Sequence, residues 1–381
     1  MPLQGHGYAT SGTTATLASP TRSTPLPPPT EIHVSRHEAA FAEGQKRLFA
    51  KLKAADVSRL PISDYTKRYL SDQLRSAAYL GTFAQVLSTA TSAWDADLGS
   101  IRMVELGGGT GLQTLLALES GVGHITYSDI YDVSCSDVHE VARAVGLEIP
   151  AVICADTEGL VAQLNSDPSD VDVVVSYDVL EHIYDVPSHL RAMNGLRYPT
   201  LNLLYASGAN GYNPRYSRQV KKIQISVETE PQPEEFGHKD RDSLRPYMDL
   251  RREVVRAAAP DLSDSVVDDL AARSRGLIVG DIERLVVEPY RAGLPTFFPA
   301  HPTNTCDPLT GNWCEQLLDF DRLRVMAEQA GLRATFGFGR YALAGTVGQD
   351  TVRRSLNAAM TMLGKNGIRL APYYFVELHR R

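Results

Sequence analysis

The sequence predicts an α/β fold: a mostly parallel sheet with helices on both faces, preceded by helices and interrupted by a mainly helical insertion. Two observations carry this. After Gly99, short apolar runs alternate with helical stretches, the signature of strands buried on both faces of a parallel sheet. Between about 207 and 316 that rhythm is broken by Pro, Gly and Asn clusters among charged helices, and it then resumes to the end of the chain.

In chain order, residues 1–34 are rich in Pro, Thr and Ser and poor in large apolar side chains, so nothing repays the entropy of ordering them and a disordered tail is expected. The tail has no basic start followed by an apolar run, so no export signal is expected. Residues 35–99 form a helical segment. Phe41, Leu48, Phe49 and Leu52 recur at helical spacing, and a second stripe runs from Tyr65 through Tyr69, Leu70, Leu74, Tyr79, Leu80, Phe83 and Leu87, with Pro61 and Ser63 as its start signal. This segment either packs on the next domain or covers a ligand. Strands are expected near 101–106, 124–129, 150–154, 171–177 and 200–206, within a core at 100–206, with intervening helices that include 111–119, 135–145 and 187–195. The insertion at 207–316 includes helices near 241–258 and 264–274. Residues 317–381 complete the sheet with a helix at 319–330, a strand near 333–344, a helix at 350–363 and a strand near 372–379, making seven strands.

The 381 residues are 43% hydrophobic and 22% charged, which suits a globular chain with a real core. No apolar run is long enough to cross a bilayer, so no membrane partner is expected. A net charge of -7 argues against nucleic acid as a partner, and Lys221-Lys222 and Arg251-Arg252 read as solvated charge clusters. Four cysteines, Cys135, Cys154, Cys306 and Cys314, do not make a disulfide framework, so a reducing cytoplasmic setting is expected.

The most informative stretch is Met103-Val104-Glu105-Leu106-Gly107-Gly108-Gly109-Thr110-Gly111-Leu112, a strand entering a glycine turn and then a helix. Glycines let a ligand lie against backbone. The dinucleotide pattern G-x-G-x-x-G fails here, because Leu112 or Thr114 occupies its third glycine slot, and no lysine follows to make a phosphate loop. What remains, E-x-G-x-G-x-G, sets the carboxylate of Glu105 beside the turn, a place suited to a cationic amino group. Asp129 ends the next strand, where an acid can accept both hydroxyls of a ribose, and Ile130 after it can cover an adenine face. Asp156 follows a third strand through Ala155, and Asp178 follows a fourth. Each of these aspartates could instead cap a helix.

With these four motifs in order, the chain resembles the class I S-adenosylmethionine-dependent methyltransferases. The resemblance covers about 100–206 directly and agrees with the terminal elements. It implies a Rossmann-like seven-stranded sheet whose last strand is antiparallel to the rest. It also implies that Glu105 and the turn of Gly107, Gly109 and Gly111 hold the methionine part of S-adenosylmethionine, Asp129 and Ile130 the adenosine sugar and base, Ala155 and Asp156 the adenine, and Asp178 the sulfonium side.

Methyl transfer to a hydroxyl or amine also needs a base, and His182, after the fourth strand, is the first candidate. The loop Phe297-Phe298-Pro299-Ala300-His301-Pro302-Thr303-Asn304-Thr305-Cys306-Asp307-Pro308-Leu309-Thr310-Gly311-Asn312-Trp313-Cys314-Glu315 offers His301 and Asp307 beside an acceptor, with Trp313 as an apolar wall. His301, Cys306, Asp307 and Cys314 match no familiar zinc spacing, so no metal is expected. The reading is methylation of a small-molecule acceptor, first a hydroxyl oxygen, in specialised metabolism or glycan tailoring. Nitrogen or carbon acceptors, or cofactor binding for regulation or cyclisation without methyl transfer, are the alternatives.

Overall fold

The computed structural model describes residues 36–167, 170–198, 202–232, 243–287, 301–343 and 345–380. The tail read as disordered, and Phe297 to Ala300 of the loop, lie outside these residues.

The chain begins with α1 (Glu38–Ala54), α2 (Asp64–Gln73) and α3 (Ala78–Ala90). Ser63 starts α2 as the sequence predicts: its side chain accepts from Thr66 N and satisfies an otherwise unpaired donor. Then β1 (Arg102–Leu106), α4 (Leu112–Glu119), β2 (His124–Asp129), α5 (Asp132–Ala144), β3 (Ala151–Cys154), α6 (Thr157–Ser166), β4 (Val173–Tyr177), α7 (Val186–Asn194) and β5 (Asn202–Ser207) alternate. Four helices follow before the sheet resumes: α8 (Pro214–Thr229), α9 (Tyr247–Ala258), α10 (Asp264–Arg273) and α11 (Val279–Val287). The chain closes with α12 (Phe320–Gln329), β6 (Leu332–Phe338), α13 (Val347–Met362) and β7 (Tyr374–Arg380).

The seven strands lie in the order β3-β2-β1-β4-β5-β7-β6. Six strands, β1 to β6, run in one direction, and β7 alone is reversed, antiparallel to both β5 and β6, with Leu204 opposite Glu377 and Phe336 opposite Val376. Period-two alternation divides the core. Met103, Val173, Val175, Leu204 and Phe375 join Phe41, Leu48, Leu80, Leu115 and Val141 on one face. Val104, Val174, Leu203, Tyr205 and Val376 join Leu160, Leu190, Met193 and Leu323 on the other.

Two predicted elements need correction. The strand expected to run to 344 stops at Phe338, because Gly339 lets the chain pass where a Cβ would stand 1.7 Å from the Tyr373 ring, and Tyr341 exchanges its backbone bonds with the Asn357 side chain instead of a strand. The helix expected from 241 has its described start at Tyr247, after Pro246, where proline suits a helix entry.

The helices between β5 and α12 have a small core of their own, made by Val255, Val267, Leu277 and Ile282. They return to the sheet through the loop at 304–317. Trp313 N donates to His182 O at 3.3 Å and Gln316 N to Glu181 O at 3.1 Å, so this loop rests on the carboxyl ends of the strands. No helix of the described residues is long and apolar enough to cross a membrane.

Candidate functional site

Between β1 and α4 the backbone enters left-handed conformations at Gly107 (φ 68°) and Gly109 (φ 51°). At Gly107 the reason is packing, since a Cβ would stand 2.3 Å from Val179 Cγ2. At Gly109 it is different. A Cβ there meets nothing within 4 Å, so this glycine faces open space. The β1–α4 turn is thus tight on its protein side and bare on the other, the shape needed for a ligand to lie on backbone. Gly111, also left-handed, packs against Val138.

Carboxylates surround this opening. Asp129 is 6% exposed; its Oδ2 accepts from Gly109 N at 2.8 Å and its Oδ1 from Tyr131 N at 2.9 Å, so it braces the turn, and burial raises its pKa. Glu105 accepts through Oε2 from Thr114 N at 2.9 Å and from the Thr114 hydroxyl, fastening the first turn of α4, and burial pushes it up to about 8 against those bonds. Ile130 stands exposed beside Asp129, and Ala155 N donates to Asp129 O at 3.0 Å, placing the start of the β3–α6 connection next to it. Asp156 is exposed and caps α6, its Oδ1 accepting from Gly159 N at 2.9 Å. Asp178 has φ 55°, unusual for a non-glycine residue, and its Oδ1 accepts from Gly208 N at 2.6 Å across the ends of β4 and β5. The predicted cofactor residues therefore share one edge, at the carboxyl ends of β3, β2, β1 and β4, although Glu105, Asp129 and Asp156 each also hold local structure. No lysine or arginine among the described residues offsets the raised pKa values of Glu105, Asp129 or Asp178.

The helical preface packs on the sheet domain, and its second helix reaches the glycine turn. α1 and α3 pack on α4, while the Thr110 hydroxyl of the glycine turn donates to Gln73 Oε1 at 2.8 Å, bringing α2 to the edge. Gln73 in turn donates to the Tyr79 hydroxyl at 3.3 Å, and Tyr79 and Phe83 stand edge-on to Tyr177 at 6.5 and 5.3 Å.

Past Asp178, one helical turn sets Glu181 inward and His182 outward. His182 is half-buried; its Nδ1 lies 2.8 Å from the Trp313 carbonyl oxygen, and its Nε2 3.7 Å from Glu315 Oε1. A carbonyl can only accept, so Nδ1 carries a proton, and Nε2 is the nitrogen left to gain or lose one. Glu315 itself is held at φ 51°. Glu181 is fully buried and accepts from the Ser207 hydroxyl, and burial beside Glu315 raises its pKa to about 8. Sequence reasoning assigned no role to Glu181, Glu315 or Gln73. Glu181 adjoins His182 in sequence, whereas only the fold carries Glu315 and Gln73 to the same edge.

The other two predicted catalytic residues are bonded within the loop at 301–317. His301 Nδ1 faces the Thr303 hydroxyl at 2.8 Å, and its pKa is lowered by burial and by Lys221. Asp307 is fully buried and accepts from Ser243 N at 2.7 Å and Leu309 N at 2.8 Å, so backbone amides occupy both its oxygens. Trp313 is buried and stacked on Tyr184 at 6.0 Å. Among the described residues, no group of three or more His, Cys, Asp or Glu is placed to hold a metal ion.

Residues 104–198 match the family described as "Methyltransferase domain", a span that holds the glycine turn, Asp129, Asp156, Asp178 and His182. That span carries a methyltransferase domain. Solved structures similar to the chain include an S-adenosylmethionine-dependent methyltransferase from Mesorhizobium loti (14% identity, 75% of this chain and 93% of that one, TM-score 0.35). They also include magnesium protoporphyrin IX methyltransferase from Synechocystis PCC 6803 with bound SAH (12% identity, 80% and 85%, TM-score 0.33) and mitomycin 7-O-methyltransferase (14% identity, 91% and 73%, TM-score 0.35). The sequence matches no curated protein.

The residues at this edge suit S-adenosylmethionine, the cofactor that the sequence resemblance implies. The molecule carries a sulfonium and an ammonium, and the edge offers bare backbone at Gly109 beside buried carboxyls that no lysine or arginine neutralises.

Proposed function

We propose that the protein uses S-adenosylmethionine to methylate a hydroxyl oxygen of a small-molecule acceptor, such as a metabolite or a glycan, with His182 as the general base. The observation that carries this reading is the setting of His182: its Nδ1 lies 2.8 Å from the Trp313 carbonyl oxygen, which can only accept, and its Nε2 lies 3.7 Å from Glu315 Oε1 at the carboxyl edge of the sheet.

Bound S-adenosylmethionine supplies an electrophilic methyl group on a sulfonium. The chain's own residues then have three tasks. The Gly107–Gly111 turn, Glu105, Asp129 with Ile130, and Ala155 with Asp156 hold the two ends of the cofactor, and Asp178 stands at the strand end between the turn and His182. The roof of Gln73 and Tyr79 and the loop at 304–317 shield the edge from water, so alignment lowers the barrier by several kcal/mol. A hydroxyl must also shed its proton as the oxygen–carbon bond forms. His182 Nε2 takes that proton, and the Glu315 carboxylate 3.7 Å away stabilises the resulting imidazolium. His301 remains a second candidate for contact with the acceptor, and Asp307 an anchor of the loop that carries it.

The test pairs binding with turnover. His182→Asn keeps a donor for the Trp313 carbonyl and removes the base. Methyl transfer from labelled cofactor to a panel of hydroxyl, amine and carbon acceptors is expected for hydroxyls, and in the variant kcat falls by about 10²–10⁴ while cofactor Kd stays within about twofold. Unchanged kcat would remove His182 from the chemistry. Labelling of amines or carbon alone would replace the hydroxyl reading.

A further inference from the structure

Behind the candidate base lies a pair of acids that the mechanism above does not use. Glu181 is fully buried. Its Oε1 accepts the Ser207 hydroxyl, but its Oε2 has no donor at all. The neighbour that does face it is the carboxyl of Asp178, whose own Oδ1 is taken by Gly208 N at 2.6 Å. Two carboxylates in contact inside a protein cannot both stay ionised, and an acceptor with no donor costs about 1–3 kcal/mol. One proton placed between them removes both difficulties.

We propose that Asp178 and Glu181 share a proton in the free protein, and that Glu181 is a positioning residue that holds Asp178 toward the sulfonium site and surrenders the shared proton when a cation arrives there. The surroundings leave this proton no competing counter-charge. The titratable groups facing the pair are Glu315 from the 304–317 loop, Tyr374 from β7, Tyr177 from the end of β4 and Tyr79 from α3. Glu315 adds negative charge, and all three tyrosines are held neutral by burial. Consistently, burial and mutual repulsion raise both carboxyls above their ordinary values. The backbone at Asp178 is fixed for this contact: its left-handed φ of 55° is held by Asp178 N donating to Ala206 O at 2.9 Å and by the Gly208 bond.

The inference rests on the proposed place of Asp178 at the sulfonium side, so the experiment reads that place directly. S-adenosylmethionine carries the sulfonium charge; S-adenosylhomocysteine has a neutral thioether in its place. Calorimetric titration in buffers of different ionisation enthalpy counts protons exchanged on binding. At pH 7 we expect S-adenosylmethionine to release about one more proton than S-adenosylhomocysteine. In Glu181→Gln, which keeps the shape and a donor for Asp178, that difference vanishes, and the infrared C=O absorption of protonated carboxyls in the free protein loses the component of the shared proton while that of Glu105 stays. Glu181→Ala, which keeps neither, is expected to weaken S-adenosylmethionine binding more than Glu181→Gln does. Binding of both ligands with equal proton counts in the wild-type protein would overturn the shared proton while leaving the cofactor site standing. No binding of either would overturn the proposed site itself.

Discussion

Two glycines in one turn make opposite predictions. Both Gly107 and Gly109 adopt a left-handed backbone, in which an L-residue costs roughly 1–2 kcal/mol. Gly107→Ala adds a collision with Val179, so it should lower the melting temperature by several degrees beyond what Gly109→Ala does. Gly109→Ala meets no protein atom. Its methyl group instead enters the space assigned to the cofactor, so the variant should fold and yet bind S-adenosylmethionine at least about tenfold more weakly, a loss of about 1.4 kcal/mol. Thermal melts and calorimetry on the two variants separate these effects. Wild-type affinity in Gly109→Ala would mean that the cofactor does not lie on this turn. At this scale the sequence was informative where one motif holds all its parts. Glu105, the glycines and Asp129 lie on consecutive elements, and their chemistry follows from residue type. It was silent on Glu315, because nothing local says that a residue so far along the chain returns to His182.

At the scale of elements, the inserted helices hang on one buried ion pair. Arg251 on α9 is fully buried; its guanidinium pairs with Glu228 on α8, and its Nε donates to Ala271 O on α10 at 2.9 Å. The Thr305 hydroxyl also donates to Glu228, which ties the loop above His182 to the same point. Removing Arg251 leaves buried Glu228 with only the longer pairing to Arg275 at 3.5 Å, so Arg251→Ala is expected to cost about 3 kcal/mol, whereas Arg251→Met with Glu228→Leu recovers much of that. Denaturant unfolding of the two variants reads the difference, and equal losses would show that packing alone, not the stranded charge, sets the cost. The sequence placed Arg251-Arg252 on a charged face, which holds for Arg252 alone, exposed and paired with Asp249 and Asp268. Amphipathic spacing locates a helix but does not tell which of two adjacent arginines turns inward; that is decided by the acid on another helix. The same limit explains the overlong β6. Tyr341, Ala342 and Leu343 look like strand, and only the Asn357 side chain, sixteen residues on, shows where their backbone bonds go.

Over the whole molecule, the seven-strand order and the reversed β7 agree with what the resemblance implies, because strand runs such as Val173-Val174-Val175 can be buried only between two helical layers. Burying acids at the edge of that sheet then has a consequence for stability. Glu105 and Glu181 are each pushed from 4.5 up to about 8 by burial, so between those values the folded chain keeps protons that the unfolded chain gives up. Stability must therefore fall as pH rises through that interval and level off above about 8. His189 works the other way at lower pH. Burial takes it from 6.5 to about 3, so acid protonates it mainly in the unfolded chain and stability is lost as pH drops below 6.5. Above pH 6.5 that histidine, like His301 and His379 whose pKa values burial also lowers, becomes mostly neutral in both states, and the raised carboxyls dominate towards pH 8. The urea midpoint is expected to decline across this window and to decline less in Glu105→Gln, which titrates no proton there. A midpoint that rises from pH 6.5 to 8 would contradict the raised carboxyls. Saturating S-adenosylmethionine should flatten the decline, because a bound cation takes over the charge compensation that protons provide in the free protein.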